Sequence, residues 1–134
     1  MLGPHKNLQV WQRGMQFVTE LYRCTNHFPQ SEIFGLVSQM RRAAVSITSN
    51  IAEGYGRNTN TELLHFLHIS LGSSNELETQ IIIAYNLGFL SQQEYENLDS
   101  LNEEINKMLR SLIYFKSQAN QCSKPTLQPH NLKT

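Results

Sequence analysis

Hydrophobic side chains recur at helical spacing in four long stretches of the chain, and short segments rich in glycine, proline and polar residues separate these stretches. In the first stretch, Trp11, Met15, Val18 and Tyr22 alternate spacings of four and three residues, which places them on one face of a helix. The other stretches repeat this rhythm. The pattern predicts helices over about residues 8–26, 32–54, 60–87 and 91–117.

The apolar stripes of the later helices identify their predicted core faces. The second helix carries two adjacent stripes, which predicts burial on more than one side. The stripe of the third helix comprises Leu64, Leu67, Leu71, Ser74, Glu78, Ile81 and Tyr85. The stripe of the fourth helix comprises Leu98, Leu101, Ile105, Met108, Leu112 and Phe115 and has heptad spacing.

Residues that favour helix ends flank these stretches. The predicted N-caps are Ser31, either Thr59 or Asn60, and Ser91, which forms a capping box with Glu94. The predicted helix-ending glycines are Gly54 and Gly56, for which a positive φ is available, and Gly88.

Four helices joined by short loops predict an all-α fold, an antiparallel up-down-up-down four-helix bundle over residues 1–117. From residue 118 the sequence QANQCSKPTLQPHNLKT is polar and contains proline, so residues 118–134 are predicted to be a disordered tail.

Two charged residues, Arg41 and Glu78, fall inside apolar stripes. In an antiparallel hairpin that turns near residues 57–58, Arg41 lies level with about residue 74, within reach of Ser74 or Glu78. We predict a buried or half-buried ion pair that fixes the register of the two helices. The alternative is a contact with a ligand or partner.

A second polar group, Asn50, Glu53 and Arg57, shares one helix face near the glycine turn. Because Glu53 precedes Arg57 by four residues, an ordinary helix-end salt bridge is favoured, and a binding cluster is the alternative. Asn50 and Glu53 are therefore grouped with Arg41, Ser74 and Glu78 as a predicted structural polar network.

The charge pattern along the chain changes this picture, although the net charge is zero. Residues 1–57 carry six Lys or Arg against three acids, residues 58–105 carry eight acids and no Lys or Arg, and residues 106–134 carry five bases and no acid. A uniformly basic nucleic-acid binder is excluded, whereas a local basic face is not. The same asymmetry could steer two subunits together.

The candidate nucleic-acid or partner-binding cations are Arg13, Arg23, Arg42, Arg57, Lys107 and Arg110. Phosphate contacts need only positioned cations, whereas reading bases needs a protruding helix or an aromatic platform. The sequence predicts no such device, so binding to RNA or DNA would be sequence-tolerant and salt-sensitive.

Catalytic and metal signatures are weak. Glu62, His65 and His68 share a helix face at a spacing that could hold a metal, but a solvated face is favoured because no fourth ligand is apparent. The chain carries no nucleophile-elbow, phosphate-loop or dinucleotide motif, so we predict a protein that is not an enzyme and has no cofactor. Cys24 and Cys122 have no metal-ligand spacing and are predicted to be reduced thiols.

No apolar run in the sequence approaches the ~18 residues that suggest a membrane span, and the N-terminal MLGPHKNLQVW lacks an apolar core of signal-peptide length. These patterns predict a cytoplasmic protein that does not interact with membranes.

Four separate segments occur in this order along the chain: LQVWQRGMQFV, FPQSEIFGLVSQMRRAAVSITSNIAEGYGR, ELLHFLHISLGSSNELETQ and the LGFLS turn. Over about residues 8–117 they resemble the bacterial four-helix-bundle family first noticed as open reading frames in intervening sequences of 23S ribosomal RNA genes. That family is related to the accessory variability proteins of diversity-generating retroelements.

The resemblance implies a ring-like homopentamer of helical protomers. For the retroelement relatives it implies binding of a reverse transcriptase and nucleic acid through a basic surface. Two departures bear on this: Thr48 stands where relatives commonly have proline, and His65 and His68 stand where they often carry basic residues.

Two non-catalytic hypotheses follow. The first is an oligomeric adaptor that binds RNA, DNA or a nucleic-acid-processing protein, such as a reverse-transcriptase-like partner, through a local basic surface. The second is a protein-only interaction scaffold without nucleic-acid binding.

Overall fold

The computed structural model describes residues 3–122, and within that range all regular structure is helical. The four long helices are α1 (Gln9–Thr25), α2 (Ser38–Tyr55), α3 (Asn60–Asn86) and α4 (Gln92–Cys122). Three short helical turns accompany them: 3₁₀ turns at Pro4–Asn7 and Gln30–Glu32, and a π-helical turn at Ile33–Val37. No helix in the described range is long and apolar enough to cross a membrane.

Each helix packs against its neighbours in the chain, and α4 closes the arrangement by packing against α1. This cyclic order confirms the predicted all-α four-helix bundle. The core combines side chains from every helix, and its largest fully buried members are Phe17, Leu21, Met40, Ile47, Ile51, Leu67, Leu77, Ile81, Leu98, Ile105 and Leu109.

Three predicted helix ends are confirmed. The Thr59 hydroxyl oxygen accepts a hydrogen bond from the Glu62 amide at 3.1 Å and so caps α3. The Glu94 amide donates to the Ser91 hydroxyl at 3.1 Å and the Ser91 amide donates to the Glu94 carboxylate at 2.9 Å, which is a reciprocal capping box. Gly88, with φ of 80°, follows the end of α3.

The start of the second helix differs from the prediction. Ser31 lies in a 3₁₀ turn, and the Glu32 carboxylate, rather than Ser31, accepts a hydrogen bond from the Leu36 amide at 3.1 Å. Gly35 then leaves helical geometry, with φ −107° and ψ −110°, and regular α-helix begins only at Ser38. The chain therefore enters α2 through a kinked turn.

The glycines at the end of α2 serve packing rather than a left-handed cap. Gly56 has φ of −89°, so the predicted use of positive φ is wrong. Gly54 is buried within α2, and a methyl group at its Cα would lie 3.0 Å from both Leu63 Cδ1 and Phe66 Cβ. The absence of a side chain at position 54 allows α2 and α3 to approach closely.

The predicted stripes of α3 and α4 are confirmed at Leu67, Ser74, Ile81, Leu98 and Ile105, whereas the other buried positions lie one residue away from the predicted ones. On α3 the buried positions include Leu63, Leu67, Ser70, Ser74, Leu77, Ile81 and Ala84, and on α4 they include Leu98, Asn102, Ile105 and Leu109. Glu78 is exposed, so its predicted place in an apolar core stripe is wrong. Phe115, at the end of the predicted heptad seam, is 69% exposed.

The fourth helix runs past its predicted end at residue 117. Helix α4 continues to Cys122, so residues 118–122, which were assigned to the disordered tail, are helical. The rest of the predicted tail lies outside the described residues.

Candidate binding surfaces

Most of the six candidate cations are paired within the protomer. The ion pairs are Arg13 with Glu104 at 3.3 Å, Arg23 with Glu20 at 3.0 Å, Arg57 with Glu53 at 2.7 Å and Lys107 with Glu103 at 3.2 Å. The Arg110 Nε donates to the Asn106 side-chain oxygen at 2.9 Å. These cations are spread over α1, α2, α4 and the turn just after α2, and they do not form one continuous patch of free charge.

Arg42 differs from the other candidate cations. It is exposed on α2, and the described residues provide no carboxylate partner for it. Its side chain lines a cleft between the end of α1 and the start of α2.

Arg41 packs against α1 instead of reaching α3. Its Nε donates to the Thr25 hydroxyl at 2.9 Å, and its Nη2 donates to the Tyr22 carbonyl at 3.3 Å and to the Asn26 side-chain oxygen at 3.1 Å. The guanidinium also lies 4.3 Å from the centroid of the Tyr22 ring. The expected contact with Ser74 or Glu78 is therefore wrong, because α2 lies between α1 and α3 and position 41 faces α1.

Ser74 belongs to a different polar cluster, between α3 and α4. Its hydroxyl donates to the Asn102 side-chain oxygen at 2.8 Å, and Asn102 Nδ2 donates to the Ser74 carbonyl at 3.0 Å. Asn106 Nδ2 donates to the Ser74 hydroxyl at 3.1 Å and to the Asn75 side-chain oxygen at 2.8 Å. Asn102 was not among the predicted residues, although its sequence position, four residues after Leu98 and in line with Ile105 and Leu109, is typical of a core-facing residue.

The remaining members of the predicted network make local contacts. Asn50 Nδ2 donates to the Ser46 hydroxyl at 3.0 Å, and the Ser73 hydroxyl of α3 donates to the same Ser46 oxygen at 2.9 Å. Glu53 pairs with Arg57 one turn away, which is the favoured helix-end salt bridge. The predicted network is therefore wrong: four of its members make separate sets of contacts, and Glu78 is exposed.

An acidic groove runs along α3 and α4. Its lining includes Glu78, Asp99 and Glu103, together with Lys107 and Arg110. Burial and the neighbouring charges of Glu103 and Glu78 raise the pKa of Asp99 above its usual value. Two of the candidate cations thus lie among carboxylates, which reduces the attraction this surface offers to phosphate.

A cleft of about 630 Å³ lies between α1 and α2. The kinked entry to α2 forms one wall, where Phe34 is 96% exposed. Its lining comprises Tyr22, Thr25, Asn26, Phe28, Gln30, Ile33, Phe34, Val37, Ser38, Arg41, Arg42 and Val45 and contains no carboxylate. In the sequence, the glycine that follows Phe34 is the sign of this break in the helix.

Cys24 and its neighbours show little sign of nucleophilic chemistry. The thiol is buried, and burial, with the charges of Glu94 and Glu20 and a hydrogen bond to Glu94, raises its pKa to about 11. The nearby His27 is occupied by an ion pair with Glu94 at 3.0 Å. Burial raises the pKa of Glu94, but hydrogen bonds from Ser91 and the charge of His27 outweigh it and lower that pKa overall.

The histidines of α3 lie on its surface. His65 and His68 are exposed, and the Glu62 carboxylate accepts a hydrogen bond from the Thr59 hydroxyl at 3.1 Å. Within residues 3–122, no group of three or more His, Cys, Asp or Glu side chains gathers at metal-ligand distance.

The outward side of α3 carries apolar residues. Ile69 is 38% exposed, Ile83 is 42% exposed and Leu87, just after the helix, is 57% exposed, and their spacing places them on one side of α3. The exposed Glu76 and Gly72 lie between Ile69 and Ile83 on that side, and a methyl group at the Gly72 Cα would meet no atom within 4 Å. No other element within residues 3–122 covers this side of α3 at Gly72.

Comparison with known proteins identifies a matching family model and similar solved structures. The model of the family described as 23S rRNA-intervening sequence protein matches residues 6–111. The crystal structure of a protein of unknown function from the S23 ribosomal protein family of Bacteroides thetaiotaomicron is similar, with a TM-score of 0.71 and 24% identity. The similarity covers 78% of this chain and 97% of that chain and shows the fold. No curated protein matches the chain. Since the family model spans most of the helical bundle, the chain belongs to the 23S rRNA-intervening sequence protein family.

Proposed function

We propose that this chain is a non-enzymatic adaptor that self-associates and holds a protein partner. The observation that carries the proposal is the set of exposed apolar residues on the outward face of α3: Ile83 and Leu87 at its C-terminal end, and Ile69 about four turns earlier. The solvent side of a bundle helix is ordinarily polar, whereas large exposed apolar side chains that lie close together are typical of a contact between proteins. Further copies of the chain would cover this face and remove its apolar surface from water.

The assembly expected from the family resemblance is a homopentamer, and its size is part of the proposal. Light scattering on purified protein after nuclease and high-salt washing measures the mass directly. We expect a stable multimer, near five protomers, and we expect Ile83→Lys to lower its mass. Tyr114→Lys is the matched control, because Tyr114 is an exposed apolar residue on α4. A monomeric wild type, or equal sensitivity to both substitutions, would refute self-association through α3.

The arrangement of the cations favours a protein over a nucleic acid as the partner. Counterion release on DNA or RNA requires cations that are free to neutralise phosphates. Four of the six candidate cations instead pair with carboxylates of the same protomer. The buried Cys24 thiol and its raised pKa agree with a non-enzymatic role.

Nucleic-acid binding remains a second candidate because Arg42 is exposed and lacks a carboxylate partner in the described chain. Binding of labelled ribosomal RNA and DNA should be measured at low and at physiological salt, for wild type and for charge reversal of Arg42 and Arg57. We expect weak binding that salt abolishes. Tight binding at physiological salt that both reversals remove would establish a nucleic-acid adaptor instead.

A further inference from the structure

The cleft between α1 and α2 combines a fixed cationic floor with an open apolar wall. Arg41 is held at the floor by three hydrogen bonds to α1 and by the Tyr22 ring. All three acceptors are neutral oxygens, so the guanidinium charge is oriented without being neutralised. Arg42, one residue further along α2, extends this positive charge to the cleft's exposed side.

The charge of the cleft selects for an anion. Its lining has two guanidinium groups and no carboxylate. The nearest acid in sequence, Glu32, has its carboxylate engaged with the Leu36 amide. A guanidinium fork matches a carboxylate geometrically, and charge-assisted hydrogen bonds of this kind are among the strongest in proteins.

The wall of the cleft selects for an apolar group beside that anion. Phe34 is almost fully exposed, Ile33 is 41% exposed, and the exposed Val45 also belongs to the lining. The Gly35 kink holds Phe34 away from the core. Pockets of a few hundred Å³ that are mostly apolar, with a small number of oriented polar groups, are typical of binding sites.

We infer that this cleft binds a linear acidic peptide of another protein, with a carboxylate at Arg42 and an aliphatic side chain against Phe34. This site is separate from the α3 face and does not depend on self-association. The chain's own C-terminal residues 123–134 do not fit, since they carry two lysines and no acid. A polynucleotide fits less well, because its backbone requires several free cations and the neighbouring Arg23 already pairs with Glu20.

Selection from a random peptide display library on the full chain tests the inference. The counter-selection target is the double variant Phe34→Ser with Arg42→Glu; both residues are exposed, so circular dichroism should show unchanged helicity. We expect the wild type to enrich peptides that carry Asp or Glu next to Leu, Ile or Val. No enrichment over the double variant, or enrichment without acidic residues, would overturn the proposal.

Fluorescence anisotropy with the most enriched peptide, labelled with fluorescein, measures the contribution of each group. We expect Arg42→Ala and Phe34→Ser each to weaken binding by about tenfold or more. Arg57→Ala is the matched control and should leave the affinity unchanged, because Arg57 lies beyond the other end of α2 and outside the lining. Equal losses from all three substitutions would overturn the assignment of the cleft.

Two further measurements separate the other occupants. A fluorescein-labelled single-stranded RNA that bound more tightly than the peptide, and lost affinity with Arg42→Ala and Phe34→Ser, would make the cleft a nucleic-acid site. A change in the mass of the wild-type assembly on Arg42→Glu would make it a contact between copies of the chain. Either outcome would overturn the peptide proposal, whether or not the chain self-associates through α3.

Discussion

The buried polar cluster between α3 and α4 permits a quantitative prediction about stability. Asn102 is 3% exposed and makes two hydrogen bonds with Ser74, one to its hydroxyl at 2.8 Å and one to its carbonyl at 3.0 Å. Substitution Asn102→Ala removes both bonds and leaves the Ser74 hydroxyl proton without its acceptor. The Ser74 oxygen keeps the hydrogen bond from Asn106.

The expected cost follows from these contacts. Each hydrogen bond contributes about 1 kcal/mol net, and a buried donor left unpaired costs about 1–3 kcal/mol. The Ser74 hydroxyl can rotate toward a carbonyl one turn back in its own helix, which recovers part of that penalty. We therefore expect Asn102→Ala to lower the free energy of unfolding by about 2–4 kcal/mol.

Urea denaturation followed by far-UV circular dichroism at a fixed protomer concentration measures the change. Asn97→Ala is the control on the same helix, and because Asn97 is exposed its effect should stay within about 0.5 kcal/mol. The double variant with Ser74→Ala should lose less than the sum of the single variants, by about 1 kcal/mol or more. Additive losses, or a cost at Asn102 no larger than at Asn97, would refute the assignment of coupling to this cluster.

Three further predictions rest on other contacts. Gly54→Ala should lower the free energy of unfolding by about 1–3 kcal/mol, because the new methyl group overpacks the contact of α2 with Leu63 and Phe66. Urea denaturation measures the change, and an unchanged stability would show that α2 and α3 can move apart at no cost. The pKa of Glu94 is lowered in the fold, so its contribution to stability is present above the unfolded carboxyl pKa and is lost as the pH falls through the folded pKa. Glu94→Gln should therefore reduce the loss of unfolding free energy at acid pH, and an unchanged dependence of that free energy on pH would contradict this. The pKa of Cys24 is about 11 against a usual value of 9.0, so in a Cys122→Ser variant this thiol should react with iodoacetamide on the order of a hundredfold more slowly in the native than in the unfolded chain. Mass spectrometry follows the reaction, and similar rates in the two states would show that the thiol is accessible.

The sequence predicted the helices and their order because helical periodicity and end signals agree along most of the chain. Thr59, Ser91 and Gly88 mark helix ends by local chemistry that needs no tertiary information. The register of α4 could not be derived in the same way. A buried asparagine was not counted as a core position, so the apparent seam followed Leu101 instead of Asn102. Its burial depends on a partner, Ser74, that only the packing of α3 supplies.

The candidate surfaces were less predictable than the fold. Pairing of Arg57 with Glu53 was anticipated because it lies within one helix turn. Pairing of Arg13 with Glu104 joins α1 to α4 and depends on tertiary packing, as does the turn of Arg41 toward α1. The exposure of Phe34 follows from the Gly35 kink, which interrupts a run that otherwise has helical periodicity. Local charge patterns therefore identify candidate cations, but they do not predict which of these cations remain without a carboxylate partner in the fold.

The adjacent arginines of α2 have different environments because successive helical residues point about 100° apart. Arg41 turns into the interface with α1 and is held by Thr25 and Asn26, while Arg42 points outward from the same cleft. Since α3 lies diagonally across the bundle from α1, copies joined through the outward face of α3 would leave the cleft open. An assembly of this kind would display one cleft per protomer, so a partner with several acidic segments would gain avidity even where each cleft binds weakly. Self-association and peptide binding would then act together, although each can be tested, and can fail, without the other.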